Sequence, residues 1–145
     1  PFDPQRPLVA IFLKPFASPL DPPEQPLADA FRGKFRDVQY MELGPNADAA
    51  AFEQARTLAL AGDQLLLAMI VKPAAWHAFG LLPAQKEFVQ QVTRERQAVL
   101  ACLGVPYAFD DYPDASVQIC TFSDVPVSQR ALADFVSTSE LLAKA

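Results

Sequence analysis

Residues 65–71 read Leu65-Leu66-Leu67-Ala68-Met69-Ile70-Val71, seven apolar side chains without interruption. The run has the length of a strand and falls far short of the ~20 residues that a membrane-spanning helix needs. A strand with one face in water alternates apolar and polar residues, whereas one covered on both faces has no reason to. Residues 65–71 are therefore expected as a strand with a layer on each side. Leu8–Leu13 (LVAIFL) and residues 98–103 (AVLACL) have the same character. Val38–Leu43 (VQYMEL) and residues 116–122 (SVQICTF) alternate, which places them at sheet edges.

Helical patterns fill the intervals. Residues 27–35 put Leu27, Ala30, Phe31 and Phe35 on one side. Residues 47–61 carry Phe52, Ala55 and Ala59 at helical spacing, with Asn46 as the cap and Gly62 as the stop. Residues 84–94 follow Pro83, at a favoured first-turn position, and present Phe88, Val89 and Val92. Residues 127–136 follow Ser123 or Asp124 as cap, with Ala131, Leu132 and Phe135 inward. The tail 139–145 adds at most one helical turn. Strand–helix alternation implies right-handed crossovers and a mostly parallel sheet of about five strands. The three continuous strands belong in the middle, so the expected order is 2-1-3-4-5, in a three-layer α/β/α sandwich.

Composition fits this class. Half of the 145 residues are hydrophobic, and Phe occurs 11 times, enough to fill one sizeable core. The net charge is −5 with no basic stripe, which argues against nucleic acid and anionic membrane surfaces as partners. Cys102 and Cys120 both lie in strand-like segments and read as buried free thiols, with a disulfide as the alternative. Residues 1–7 (PFDPQRP) read as an extended linker because proline fixes φ. The expected division is therefore a linker over 1–7 and one α/β domain over 8–145, cut from something longer.

In sheets of this kind ligands bind beyond the carboxyl ends of the strands, near the switch point between strands 1 and 3. The loop after the first strand, Lys14-Pro15-Phe16-Ala17-Ser18-Pro19, has no glycine, and its prolines offer no N–H. That excludes a phosphate cradle and hence dinucleotide, P-loop or flavin binding. Lys14 and Lys72 stand where a phospho-receiver domain needs acids. They either attract an anion together or simply dress two strand ends. No Gly-x-Ser-x-Gly elbow is present. No cofactor and no metal are expected. The candidate substrate-binding residues are Trp76 and His77 in the loop 72–82, and Asp110 and Asp111 in the acidic segment 107–114 (YAFDDYPD). Adjacent carboxylates in a tight turn serve turns and caps more readily than a shared site.

Residues 97–134 read QAVLACLGVPYAFDDYPDASVQICTFSDVPVSQRALAD. This stretch resembles the C-terminal α/β domain of family 3 glycoside hydrolases, especially the β-N-acetylglucosaminidase and β-glucosidase-like members. The elements that carry the likeness are Gly104-Val105-Pro106-Tyr107, Tyr112-Pro113, Phe122-Ser123-Asp124 and Ser128-Gln129-Arg130-Ala131. Gly104, Pro106, Tyr107, Ser123, Asp124, Ser128 and Gln129 form a structural motif of a turn and a helix start. Position 105 is Val where the family commonly has a small polar residue. The resemblance implies that the catalytic nucleophile, an Asp, belongs to an N-terminal TIM barrel absent from this chain. It also implies that no catalytic residue lies here, that the barrel of the parent chain is the partner, and that the parent's substrate is a carbohydrate ending in β-linked N-acetylglucosamine or glucose. A stand-alone binding or interaction module is the alternative, as is an enzyme that uses His77 with Asp110 or Asp111.

Overall fold

The computed structural model describes residues 2–18, 20–21, 23–73 and 79–138. Five strands alternate with helices along the chain: β1 (Leu8–Leu13), α1 (Pro26–Arg32), β2 (Val38–Leu43), α2 (Ala49–Ala61), β3 (Gln64–Val71), α3 (Pro83–Glu95), β4 (Val99–Gly104), β5 (Val117–Cys120) and α4 (Pro126–Val136). A 3-10 helix, Pro106–Asp111, lies between β4 and β5. The sheet order is β2-β1-β3-β4-β5, and every pairing is parallel. The expected order and layering are thus borne out.

The sheet divides the core by residue parity. Val9, Ile11 and Leu13 of β1 point to the same side as Leu65, Leu67 and Met69 of β3, where Ala55 and Ala59 of α2 and Phe88, Val89 and Val92 of α3 cover them. Leu8, Ala10 and Phe12 point the other way with Leu66, Ala68 and Ile70, under Leu27 and Phe31 of α1 and Leu132, Ala133 and Val136 of α4. Every residue of β1, β3 and β4 is buried, while β2 and β5 are only partly covered. Full burial of one Leu or Phe side chain is worth roughly 1.5–3 kcal/mol, so the alternation of two-sided runs stabilises both layers at once.

Several boundaries differ from the expectation, each for a local reason. Helix α2 starts at Ala49, because Ala47 N–H closes a turn on the Gly44 carbonyl and Asp48, rather than Asn46, caps the helix by accepting from Ala51 N–H at 2.9 Å. Helix α1 ends at Arg32, and residues 33–35 form a turn that still buries Phe35. Strand β5 is shorter than 116–122, since Phe122 takes a left-handed φ of 60° and turns the chain out of the sheet. Helix α4 buries Gln129, Leu132, Ala133 and Val136, a regular i, i+3, i+4, i+7 stripe. Of the three residues expected inward on α4, only Leu132 is; Ala131 and Phe135 are exposed. The expected cap, Ser123 or Asp124, is also displaced: Val125 stands at the cap position without a side-chain bond. The tail 139–145 lies outside the described residues.

Residues 2–7 hold no strand or helix, yet they are fastened to the lower end of the sheet. Phe2 is buried against Phe35 and donates its N–H to the Val136 carbonyl at 2.8 Å. Gln64 accepts from Asp3 N–H at 2.7 Å and donates to the Asp3 carbonyl at 3.0 Å. Arg96 closes the same end, donating to the carbonyls of Ala59, Gly62 and Asp63.

Candidate functional site: the carboxyl ends of the strands

Lys14 and Lys72 directly follow the carboxyl ends of β1 and β3, as the switch-point reading placed them. The two cations do not pool their charge. Lys14 turns toward β2, where its Nζ lies 3.2 Å from Glu42 and 5.1 Å from the centre of the Phe12 ring. Lys72 reaches over β4 to Asp124, 2.7 Å away, and lies 5.5 Å from the Phe16 ring centre. Each positive charge has a carboxylate partner, which favours the reading in which the two lysines dress two strand ends. Tyr40 donates its hydroxyl to the same Glu42. Burial, and then that bond to a carboxylate, push the Tyr40 phenol well above the ordinary tyrosine range.

Gln85 locks the ends of β1 and β2 to α3. It is buried, and its amide donates to the carbonyls of Lys14 at 2.9 Å, Leu43 at 3.1 Å and Gly44 at 3.3 Å. Its carbonyl accepts the Leu82 N–H at 3.1 Å, which caps the start of α3. Gln85 is silent in the sequence, because a glutamine on a helix face has no signal that separates a buried clamp from a solvated side chain.

The motif residues 104–107 sit at the top of β4. Gly104 lies beside Val71 at the end of β3, and Val105 N–H bonds the Val71 carbonyl at 2.9 Å. Pro106 opens the 3-10 helix and Tyr107 projects into solvent, 75% exposed. Ser123 Oγ accepts from Val125 N–H at 3.3 Å and Asp124 holds Lys72. Ser128 N–H donates to the Val125 carbonyl in the first turn of α4, and Gln129 donates to the Asp124 carbonyl at 2.8 Å. Together these contacts fix the turn that carries Phe122.

Both acidic candidates face solvent. Asp110 is exposed on the 3-10 helix. Asp111 is exposed as well and pairs with Lys86 of α3 at 3.3 Å. Trp76 and His77 lie outside the described residues. Among the described residues, no group of three or more His, Cys, Asp or Glu side chains is arranged to hold a metal ion. No helix in the described structure is long and apolar enough to cross a membrane.

The loops at this end carry exposed apolar side chains. Leu20 follows β1, Phe79 follows β3, Tyr107 follows β4, and Phe122 and Val125 follow β5. They account for five of the nine large hydrophobic side chains exposed among the described residues. Single exposed apolar residues are ordinary; here five of them fall on the loops beyond the carboxyl ends of the strands.

No protein-family model matches the chain, and neither does any curated protein. Solved structures do. A family 3 β-N-acetylglucosaminidase from Paenibacillus sp. is similar over 94% of this chain, with a TM-score of 0.74 and 16% identity. A β-glucosidase from Listeria innocua, solved with isofagomine, is similar over 96% of it, with a TM-score of 0.72 and 12% identity. A family 3 exo-β-xylosidase is similar over 88%, with a TM-score of 0.61 and 17% identity. This chain spans only 26%, 22% and 20% of those three chains. The fold is therefore that of an α/β portion of family 3 glycoside hydrolases, as the resemblance of residues 97–134 implied.

Proposed function

We propose that this chain is the accessory, non-catalytic α/β domain of a family 3-like glycoside hydrolase. Its partner is the TIM barrel of the same parent protein, and it meets that barrel through the carboxyl ends of its strands. The parent enzyme removes terminal β-linked N-acetylglucosamine or glucose with two carboxylates that lie outside this chain. The observation that supports the reading is the set of exposed apolar residues on the loops after β1, β3, β4 and β5, Leu20, Phe79, Tyr107 and Phe122, on a fold that also makes up 26% and 22% of two much longer glycosidase chains. The domain buttresses the barrel and forms one edge of the sugar cleft.

The test compares the chain alone with the chain joined to its upstream partner. Aryl β-N-acetylglucosaminide and aryl β-glucoside hydrolysis is expected only from the joined protein. Turnover by the isolated chain would sink the non-catalytic role. A parent reading frame without a barrel of roughly 250 residues would replace this reading with that of a stand-alone interaction module.

A further inference from the structure

Cys102 of β4 and Cys120 of β5 stand directly opposite each other in the parallel register. Partners in neighbouring strands lie about 4.7–4.9 Å apart, within the 4.4–6.8 Å Cα separation that a disulfide spans. Both side chains leave the same face of the sheet. Cys102 Sγ lies 3.3 Å from the Val105 carbonyl oxygen, and Cys120 Sγ lies 3.4 Å from that of Gly104. Two thiols aimed at consecutive carbonyls of one turn are neighbours in space. Both are free thiols, Cys102 buried and Cys120 half-buried at the sheet edge.

We propose that Cys102 and Cys120 form a reversible dithiol–disulfide pair that fastens the edge strand β5 to β4. The oxidant is a low-molecular-weight disulfide of the glutathione class. Cys120, the accessible thiol, attacks as its thiolate; one S–S bond breaks, a mixed disulfide forms, and one glutathione thiolate departs. Cys102 then attacks the Cys120 sulfur. The second glutathione leaves as the thiol, taking the Cys102 proton, and the protein disulfide remains. The protein loses two electrons and two protons, and oxidised glutathione becomes two reduced molecules. Burial, and then the neighbouring Cys120, raise the Cys102 thiol to about 12, which keeps it protonated and leaves the first attack to Cys120. This pairing stands independently of the proposed barrel partner.

The test exposes the purified, folded chain to oxidised glutathione and weighs it intact. The expected product is two hydrogen atoms lighter than the reduced chain, carries no adduct, resists alkylation at both cysteines and reverts fully with dithiothreitol. Cys102→Ala is expected to stop at a stable glutathione adduct on Cys120, and Cys120→Ala to take up none. Circular dichroism of each variant checks that it is folded, and the native-chain measurement decides the question without either. A native chain that stops at the adduct, or whose two thiols stay unmodified, overturns the proposal.

Discussion

The carbonyl oxygen of Val71 occupies the place that a Cβ on Gly104 would need; the two atoms would be 1.8 Å apart. The backbone oxygen cannot swing away, because it accepts the Val105 N–H at 2.9 Å. Gly104→Ala therefore forces β3 and β4 apart at their carboxyl ends. A loss of about 2–4 kcal/mol is expected, at the upper end of overpacking costs. Urea unfolding checks it, with Gly44→Ala as the control: a Cβ there meets nothing within 4 Å, so a change within about 0.5 kcal/mol is expected.

Gln85→Leu keeps a comparable volume but removes the amide that holds three carbonyls and the acceptor that caps α3. Unsatisfied buried polar groups cost about 1–3 kcal/mol each, and partial hydration limits the sum to about 2–4 kcal/mol. Thermal unfolding measures the loss. Hydrogen exchange should reveal faster opening at the start of α3, where Leu82 N–H loses its acceptor.

Alkaline pH should act through two tyrosines. The Tyr40 phenol is raised by burial and by Glu42, the Tyr112 phenol by burial and then by Asp111. A folded-state value above the unfolded one, ~10, favours the native state fully below that pH. The advantage is lost as pH rises above it. The decline is at most ~1.4 kcal/mol per pH unit for each group, and less where solvent reaches the ring. Unfolding midpoints measured on both sides of pH ~10 test this, and Tyr40→Phe should flatten the slope.

Phe122 combines a left-handed backbone with a ring that is 73% exposed. A bulky side chain there is strained by about 1–2 kcal/mol, and an exposed ring recovers little of that. Phe122→Gly is expected to stabilise the isolated chain by about 1 kcal/mol while weakening any association through the strand-end loops. A stabilised variant that binds the barrel unchanged would remove Phe122 from that surface.

The fold was legible because burial on both faces leaves a direct mark on composition. The length and unbroken apolar character of residues 65–71 pointed to a central strand, and the alternation of Val38–Leu43 to β2 at an edge, as observed. On helix α4, Ala131, Leu132, Ala133, Phe135 and Val136 are all apolar, so two stripes fit the periodicity, and packing against α1 and the sheet selects Leu132, Ala133 and Val136. The site was less legible. Lys14 and Lys72 could be placed by topology, but their carboxylate partners come from β2 and from beyond β5, at separations that no local pattern encodes. Register was equally hidden, so Cys102 and Cys120 could be read as strand residues but not as facing partners.

The anchoring of Phe2 sets a length requirement. Phe2 is held at the lower end of the sheet by the Val136 carbonyl, whereas Tyr107 and Phe122 project from the upper end. The six residues of β1 separate the two ends by roughly 20 Å at about 3.3 Å per residue. A domain that precedes Phe2 and faces the upper loops must be joined by a connector that climbs the flank of the sandwich, about six extended residues at the least. Shortening such a connector below that length would hold the two bodies at the wrong ends of each other without altering a single contact residue.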